Sequence, residues 1–298
     1  MKDFFYFCYE PLLKLENADP YLTVFVYMFI VFCGLAIGSF LNVCIYRIPI
    51  NESIVGKNPS HCRTCGAKIK ARDNIPLFGW LLLKGRCRSC GEKISSRYPI
   101  VEGLNCLIYI ITFTILDVNP KSILYCFFFS TLIVIGFIDW DTQEIAIFLL
   151  GFIFFLDILA ILLVKDAQLV YINDVISPEI SLLNRIIGAF CISVPFYIIG
   201  ELSGLYIKQQ KGEYVRGIEL GDTFLMFVSG LMLGWKLTVF AGFLGIILAA
   251  VCGIIYKAVT KESKFAFGPF LAVALFISAL WGNDLIDWYV NKFLVFPE

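Results

Sequence analysis

The sequence predicts an all-α polytopic membrane protein of about eight transmembrane helices, with a small cytoplasmic zinc-ribbon insertion between helices 1 and 2. Three observations carry this expectation. Of 298 residues, 59% are hydrophobic and 16% charged, and the mean hydropathy is +0.82, far from the composition of soluble domains. Apolar stretches close to the ~20 residues that cross a hydrocarbon core recur along the whole chain. Between the first two of them lies a basic stretch with four cysteines in two CxxC pairs. The lipid bilayer is therefore the first expected partner, and no nucleic-acid partner is expected.

The apolar stretches run over 21–46, 99–116, 122–138, 145–164, 186–206, 223–235, 237–256 and 265–283. The sixth is short, so it needs shielding by neighbouring helices or a start on the far side of Asp222. The first lacks a basic region before it and is too long for the core of a cleavable signal peptide. These runs divide the chain into an N-terminus with the first transmembrane helix (1–46), a loop domain (47–98) and a transmembrane domain (99–298). Lys and Arg set the orientation, because basic residues stay on the cytoplasmic side of short loops. With the N-terminus outside, the inner segments 47–98, 139–144, 207–222 and 257–264 hold 17 of the 24 Lys and Arg residues. Residues 165–185, polar with Asp166, Asp174 and Glu179, read as an outer connector.

The loop reads "HCRTCGAKIKARDNIPLFGWLLLKGRCRSCGEKI", with Cys62 and Cys65 paired, then Cys87 and Cys90. Two knuckles offering two thiolates each satisfy tetrahedral Zn²⁺ with no open position, which predicts a structural zinc. Gly66 and Gly91 follow the second cysteine of each pair and suit a backbone that turns with positive φ. A redox reading would need one CxxC on a thioredoxin-like βαβ unit, a pattern this loop lacks. Cys8, Cys33, Cys44, Cys106, Cys126, Cys191 and Cys252 sit mostly in apolar runs and read as small hydrophobes. His61, the lone histidine, reads as a solvated loop residue.

With a single histidine, imidazole-based catalysis in the membrane has no candidate, which leaves carboxylates. Asp139, in "IVIGFIDWDTQEI", ends the third apolar run, and Asp222, in "ELGDTFL", precedes the sixth. The predicted topology puts both at the cytoplasmic edge, where two carboxylates sharing one proton can activate water against a peptide carbonyl. An acid near lipid costs a few kcal/mol, up to ~3.5 at a span centre, so it calls for a function or a partner. The bland alternatives are a solvated edge acid, or for Asp222 a helix cap or first-turn acid. Asp157 falls near the middle of the fourth run and would suit a proton or ion pathway, so an ion-coupled transporter using Asp157 stands as an alternative. A non-catalytic membrane zinc-binding protein is a second.

Five motifs in order then resemble the type IV prepilin peptidases, the GxGD membrane aspartyl proteases that mature pilins and the pseudopilins of type II secretion. They are "GSFLNVCIYRIP" (Gly38 to Pro49), the two CxxC pairs with "NIP" between them, "GRCRSCGEKISSRYPIVEGL" (Gly85 to Leu104), "IDWDTQEI" with "GDTFL", and "FGPFLA" (Phe267 to Ala272). The chain departs from the family at Glu219 and Phe224, where GxGDxK has glycine and lysine, at Ile145 to Ile147 after the first aspartate, and at Ala266, where a proline is usual. The resemblance implies that Asp139 and Asp222 are the catalytic pair, that 99–298 is the aspartyl protease domain and 47–98 the zinc-binding one, and that the protein is an aspartic endopeptidase of the bacterial cytoplasmic (inner) membrane. The substrates it implies are prepilins or pseudopilins, cut at the cytoplasmic face. It also implies N-methylation of the new N-terminus with S-adenosylmethionine, for which the chain shows no GxGxxG after a strand.

Overall fold

The computed structural model describes residue 14 and residues 19–54, 60–163, 171–172, 175–176, 182–212, 214–261 and 265–293. Nine α-helices run through them: α1 Pro20–Arg47, α2 Phe78–Leu82, α3 Arg97–Leu116, α4 Pro120–Thr142, α5 Ile147–Leu163, α6 Leu182–Lys211, α7 Leu220–Leu233, α8 Trp235–Thr260 and α9 Gly268–Phe293. Every apolar run of the sequence is one of these helices. Six of them are long and apolar enough to cross a membrane, and α5 and α7 are shorter apolar helices. The chain is an all-helical polytopic membrane protein with its cysteine loop between α1 and α3. Of the 165–185 connector, residues 182–185 already belong to α6, and the other described residues form a two-residue antiparallel ladder, Tyr171–Ile172 with Val175–Ile176; Asp166, Asp174 and Glu179 lie outside the described residues.

All the membrane helices but α5 extend past their apolar run at one end or both, whereas α5 stops short of its run at each end. Asp139 is three residues inside the end of α4, and Asp222 is the third residue of α7. Backbone hydrogen bonding continues past the last apolar residue wherever no proline or αL residue interrupts it. At the end of α4 the break is Gln143, with φ 57°. The last helix runs ten residues beyond the predicted 283, where Asp287 pairs with Lys236 of α8 at 3.0 Å.

The described residues form two compact units that divide after Val134, inside α4. In the first, α1 packs along α3. Gly34 and Gly38, four apart, bring α1 so close that a Cβ at either would stand 2.8 Å from the Cα of Cys106 or Glu102. In a membrane, where hydrophobic transfer does not pull helices together, such close packing and interhelical hydrogen bonds hold them. Asn105 donates to the Gly34 carbonyl at 2.8 Å and accepts from Ser130 of α4 at 2.7 Å, and Ser130 meets the Tyr109 hydroxyl at 3.1 Å. All three side chains are buried. A stacked pair, Tyr125 and Phe129 at 5.6 Å between centroids, fills the start of α4.

In the second unit α7 is the central element. It packs on α5, α6, α8 and α9, and Leu225, Met226, Val228, Met232 and Leu233 are all buried. Gly188 of α6 and Gly230 of α7 cross with each glycine's missing Cβ directed at the other's carbonyl, so neither position has room for a larger residue. This crossing fixes the helix that carries Asp222.

Candidate active site and metal centre

Three helix ends converge around the two aspartates. Asp139 comes from the last turn of α4, Asp222 from the first turn of α7, and Gly268 opens α9. The Gly268 amide donates to Asp139 Oδ2 at 2.8 Å. Asp222 sits at the third position of α7 and accepts from the backbone N–H of Glu219, the residue that caps the helix. That is half of a capping box, so the bland reading of Asp222 as a first-turn acid describes a real interaction. It does not exhaust the residue. Asp139 and Asp222 are each only 4% exposed, and their charges are close enough to act on one another.

A buried carboxylate with no role would be an expensive feature, because each charge loses its hydration without gaining a cation. Here the compensation is two helix amino termini, whose unpaired N–H groups and dipoles favour negative charge. Around the pair the chain adds more acid. Glu219 acts electrostatically on both aspartates, and Glu144, in the turn between α4 and α5, acts on Glu219. Ile145 of the same turn lies against Gly221, where a Cβ would come within 2.9 Å of its Cβ.

Gly268 is the site residue for which motif reading supplied a position but no role. A Cβ there would stand 2.8 Å from Asp139 Oδ2, so a side chain would collide with the carboxylate that the amide holds. The only signal in the sequence was its place in "FGPFLA". Pro269 follows as the second residue of α9, where its missing N–H is not needed and its fixed φ suits a helix start.

Asp157 is buried on α5, 1% exposed, with no hydrogen-bond partner at either carboxylate oxygen. Its electrostatic partner is Arg185 of α6, whose Nη1 donates to the Leu231 carbonyl near the end of α7 at 3.0 Å. The described interactions of the Asp139 and Asp222 carboxylates do not include Asp157.

The four cysteines of the loop form a separate centre. The Sγ atoms of Cys62, Cys65, Cys87 and Cys90 all lie within 4.8 Å of one another, and Cys62 and Cys90 are 3.8 Å apart. Four sulfurs at tetrahedral corners about 2.3 Å from a Zn²⁺ would be about 3.8 Å apart. The two knuckles repeat the same hydrogen bonds. The Cys62 amide donates to Ala67 and the Gly66 amide to Cys62; the Cys87 amide donates to Glu92 and the Gly91 amide to Cys87. Gly66 and Gly91 take φ 69° and 74°, as the turn requires. None of the four is in a disulfide.

The electrostatics of this centre suit a cation. Amide N–H groups of Cys65 and Thr64 pull the Cys62 thiol down to about 6. Cys90, although the Glu92 amide lowers it, is pushed up to about 12 by burial and by the other three cysteines. Four thiolates this close cannot all stay charged unless a metal neutralises them. Arg63, inside the first knuckle, lies 3.7 Å over the ring of Tyr46 near the end of α1, which seats the knuckle against the membrane helix.

Comparison with known proteins agrees with this layout. Residues 32–116 match the bacterial peptidase A24 N-terminal domain, and residues 126–254 match the type IV leader peptidase family. The chain is 30% identical to the prepilin leader peptidase/N-methyltransferase of Aeromonas hydrophila, over 95% of this chain and 99% of that protein. It is 28% identical to the protein of the same description from Legionella pneumophila, over 91% and 96%, and 31% identical to that of Dichelobacter nodosus, over 85% and 90%. No solved structure matches the chain. With two family models matched in order and a relative 30% identical over 95% of this chain and 99% of its own length, this chain belongs to the type IV leader peptidase family.

Proposed function

We propose that the protein is an aspartic endopeptidase of the bacterial inner membrane that removes the leader peptide of prepilins or pseudopilins, with Asp139 and Asp222 as its catalytic pair. The single observation that carries this reading is the meeting of two buried aspartates, 83 positions apart, where three helix ends converge. The zinc loop and this mouth of the bundle lie on the cytoplasmic side, with the N-terminus outside, as the distribution of Lys and Arg supports.

The chemistry follows from the arrangement. The two carboxylates share one proton. The Gly268 amide holds one oxygen of Asp139 in a fixed direction, and the Glu219 amide does the same for Asp222. The ionised carboxylate takes a proton from water as that water attacks the scissile carbonyl carbon. The protonated partner gives its proton to the carbonyl oxygen as the tetrahedral diol forms; the first carboxylate then passes the proton it took from water to the leaving nitrogen while the partner recovers its own as the C–N bond breaks, with no covalent acyl-enzyme.

Cys62, Cys65, Cys87 and Cys90 hold a structural Zn²⁺ that pins the loop's two knuckles together and has no part in hydrolysis. N-methylation with S-adenosylmethionine rests on the relatives' names alone. In the "GSFLNV" stretch Asn42 is bonded to the Gly38 and Tyr98 carbonyls and Ser39 to Glu102, and no residue of this chain is assigned a role in methyl transfer.

The test is cleavage of a coexpressed prepilin, read by mass analysis of the product's N-terminus, which reports methylation in the same spectrum. Asp139→Ala and Asp222→Ala each end cleavage; cleavage that survives both changes sinks the assignment. Ion-coupled transport is the competing reading, and the buried Asp157 oxygens, which have no hydrogen-bond partner, favour it. Asp157→Ala retains processing if the edge pair does the chemistry, whereas a transporter depends on Asp157.

A further inference from the structure

The cysteine loop carries an apolar ridge that neither metal binding nor hydrolysis uses. Phe78, Leu81 and Leu82 stand on one side of the single-turn helix α2, with Ile75 just before it; their exposures are 59%, 59%, 73% and 48%. None belongs to a membrane-crossing helix. Lys70 and Arg72 precede the ridge, Lys84 and Arg86 follow it, and all four are exposed. Exposed apolar side chains flanked by cations are an unfavourable surface in water and a favourable one at an anionic lipid interface, where apolar groups enter the acyl boundary and Lys or Arg meet headgroups.

The ridge is also held at a definite depth. The Leu77 amide, next to Phe78, donates to Glu102 Oε2 at 2.7 Å. Glu102 is buried on α3, five residues past Arg97 where that helix begins, or about 7.5 Å along its axis at 1.5 Å per residue. The 20 residues of α3 rise about 30 Å, the full thickness of a hydrocarbon core. They have no length to spare outside it, so Glu102 lies below the headgroups and draws the root of the ridge down with it. Interfacial segments typically bury their apolar face about 5–10 Å deep, which matches.

The ridge is braced against turning away. Leu77 takes φ 59°, the Trp80 indole donates to the Ile94 carbonyl at 3.2 Å, and Arg88 grips Asp73 through two hydrogen bonds at 2.8 and 2.6 Å.

We infer that Ile75, Phe78, Leu81 and Leu82 insert into the anionic lipid surface on the loop's own face of the bilayer, with Lys70, Arg72, Lys84 and Arg86 on the headgroups, making the metal-binding loop an interfacial anchor. This requires no cleavage activity and stands apart from the peptidase assignment.

The test uses the full chain reconstituted in phosphatidylglycerol-containing vesicles, with the photocrosslinker p-benzoylphenylalanine placed at Leu82 or, as a control, at Lys68, an exposed knuckle position. Mass analysis after illumination should find lipid adducts at least several-fold more often at Leu82. Adduct yield at Leu82 should fall several-fold in phosphatidylcholine vesicles, and in phosphatidylglycerol with the double change Lys70→Glu and Lys84→Glu. Lipid adducts no more frequent at Leu82 than at Lys68 overturn the anchor, as do crosslinks at Leu82 to a second copy or another protein in place of lipid. Equal yields in the two lipids overturn the anionic preference. Circular dichroism of each variant shows whether it has kept its helices, and a variant that has lost them is replaced by the crosslinker at Leu81.

Discussion

The four-cysteine cluster and the aspartate pair are built from the same parts, helix ends and turns whose N–H groups face negative atoms, but over very different spans of sequence. The four thiols lie within 29 residues, Cys62 to Cys90, and each knuckle closes on its own hydrogen bonds. The two carboxylates are 83 positions apart and depend on α4, α7 and α9 arriving together. A centre of the first kind tolerates disturbance elsewhere in the fold; one of the second kind inherits every error in helix placement. The knuckles are local chemistry, and the dyad is a product of packing.

The largest effect expected from this contrast is at the dyad itself. Asp139→Asn and Asp222→Asn keep shape and hydrogen bonding but remove the shared proton, so prepilin cleavage should fall by about 10³-fold or more while the protein stays helical and inserted. Comparable cleavage rates in wild type and either variant would leave the dyad with a packing role only. Next is Gly268→Ala. Its Cβ would stand 2.8 Å from Asp139 Oδ2, and displacing a catalytic group by about 1 Å costs on the order of 10²-fold. The loss should appear in kcat with metal content unchanged; normal kcat would show that the amide contact does not position Asp139.

Cys90→Ser probes the other region. It should lower bound zinc, measured by elemental analysis of purified protein, from one equivalent to well below one, and expose the 60–96 loop to proteolysis while α4 to α9 keep their helicity. Loss of helicity throughout would mean that the ribbon is not an independent centre. The smallest effect is Gly66→Ala, which forces an alanine into φ 69°. At about 1 kcal/mol for that conformation, zinc affinity in a chelator competition should weaken several-fold, with cleavage little changed.

The same contrast explains what was legible in the sequence. Apolar helices and cysteine knuckles are written in short windows: every apolar run is a helix, and CxxC spacing with a following glycine specifies a knuckle. From hydropathy Asp139 and Asp222 were legible only as residues at equal depth, because it locates a residue along the membrane normal but not around the bundle; it was the motif resemblance that paired them. What brings them together is invisible to periodicity. It lies in the Gly188–Gly230 crossing that sets α7, and in a main-chain N–H at Gly268, a group every residue but proline possesses. Helix ends were misjudged for a related reason. Apolar composition stops at the water boundary, whereas the hydrogen-bond ladder of α9 continues ten residues past it. The Leu77–Glu102 contact that fixes the depth of the ridge is likewise a long-range pairing with no local signature.

The brevity of α7 has a consequence of its own. Fourteen residues climb about 21 Å, roughly 9 Å less than a typical hydrocarbon layer. Because most of its side chains are covered by protein, this helix need not match the oily slab, and its amino-terminal end can stop short of the phosphate plane. If the aspartate pair acts as proposed, substrate and water must both reach it at that end, from the edge of the membrane.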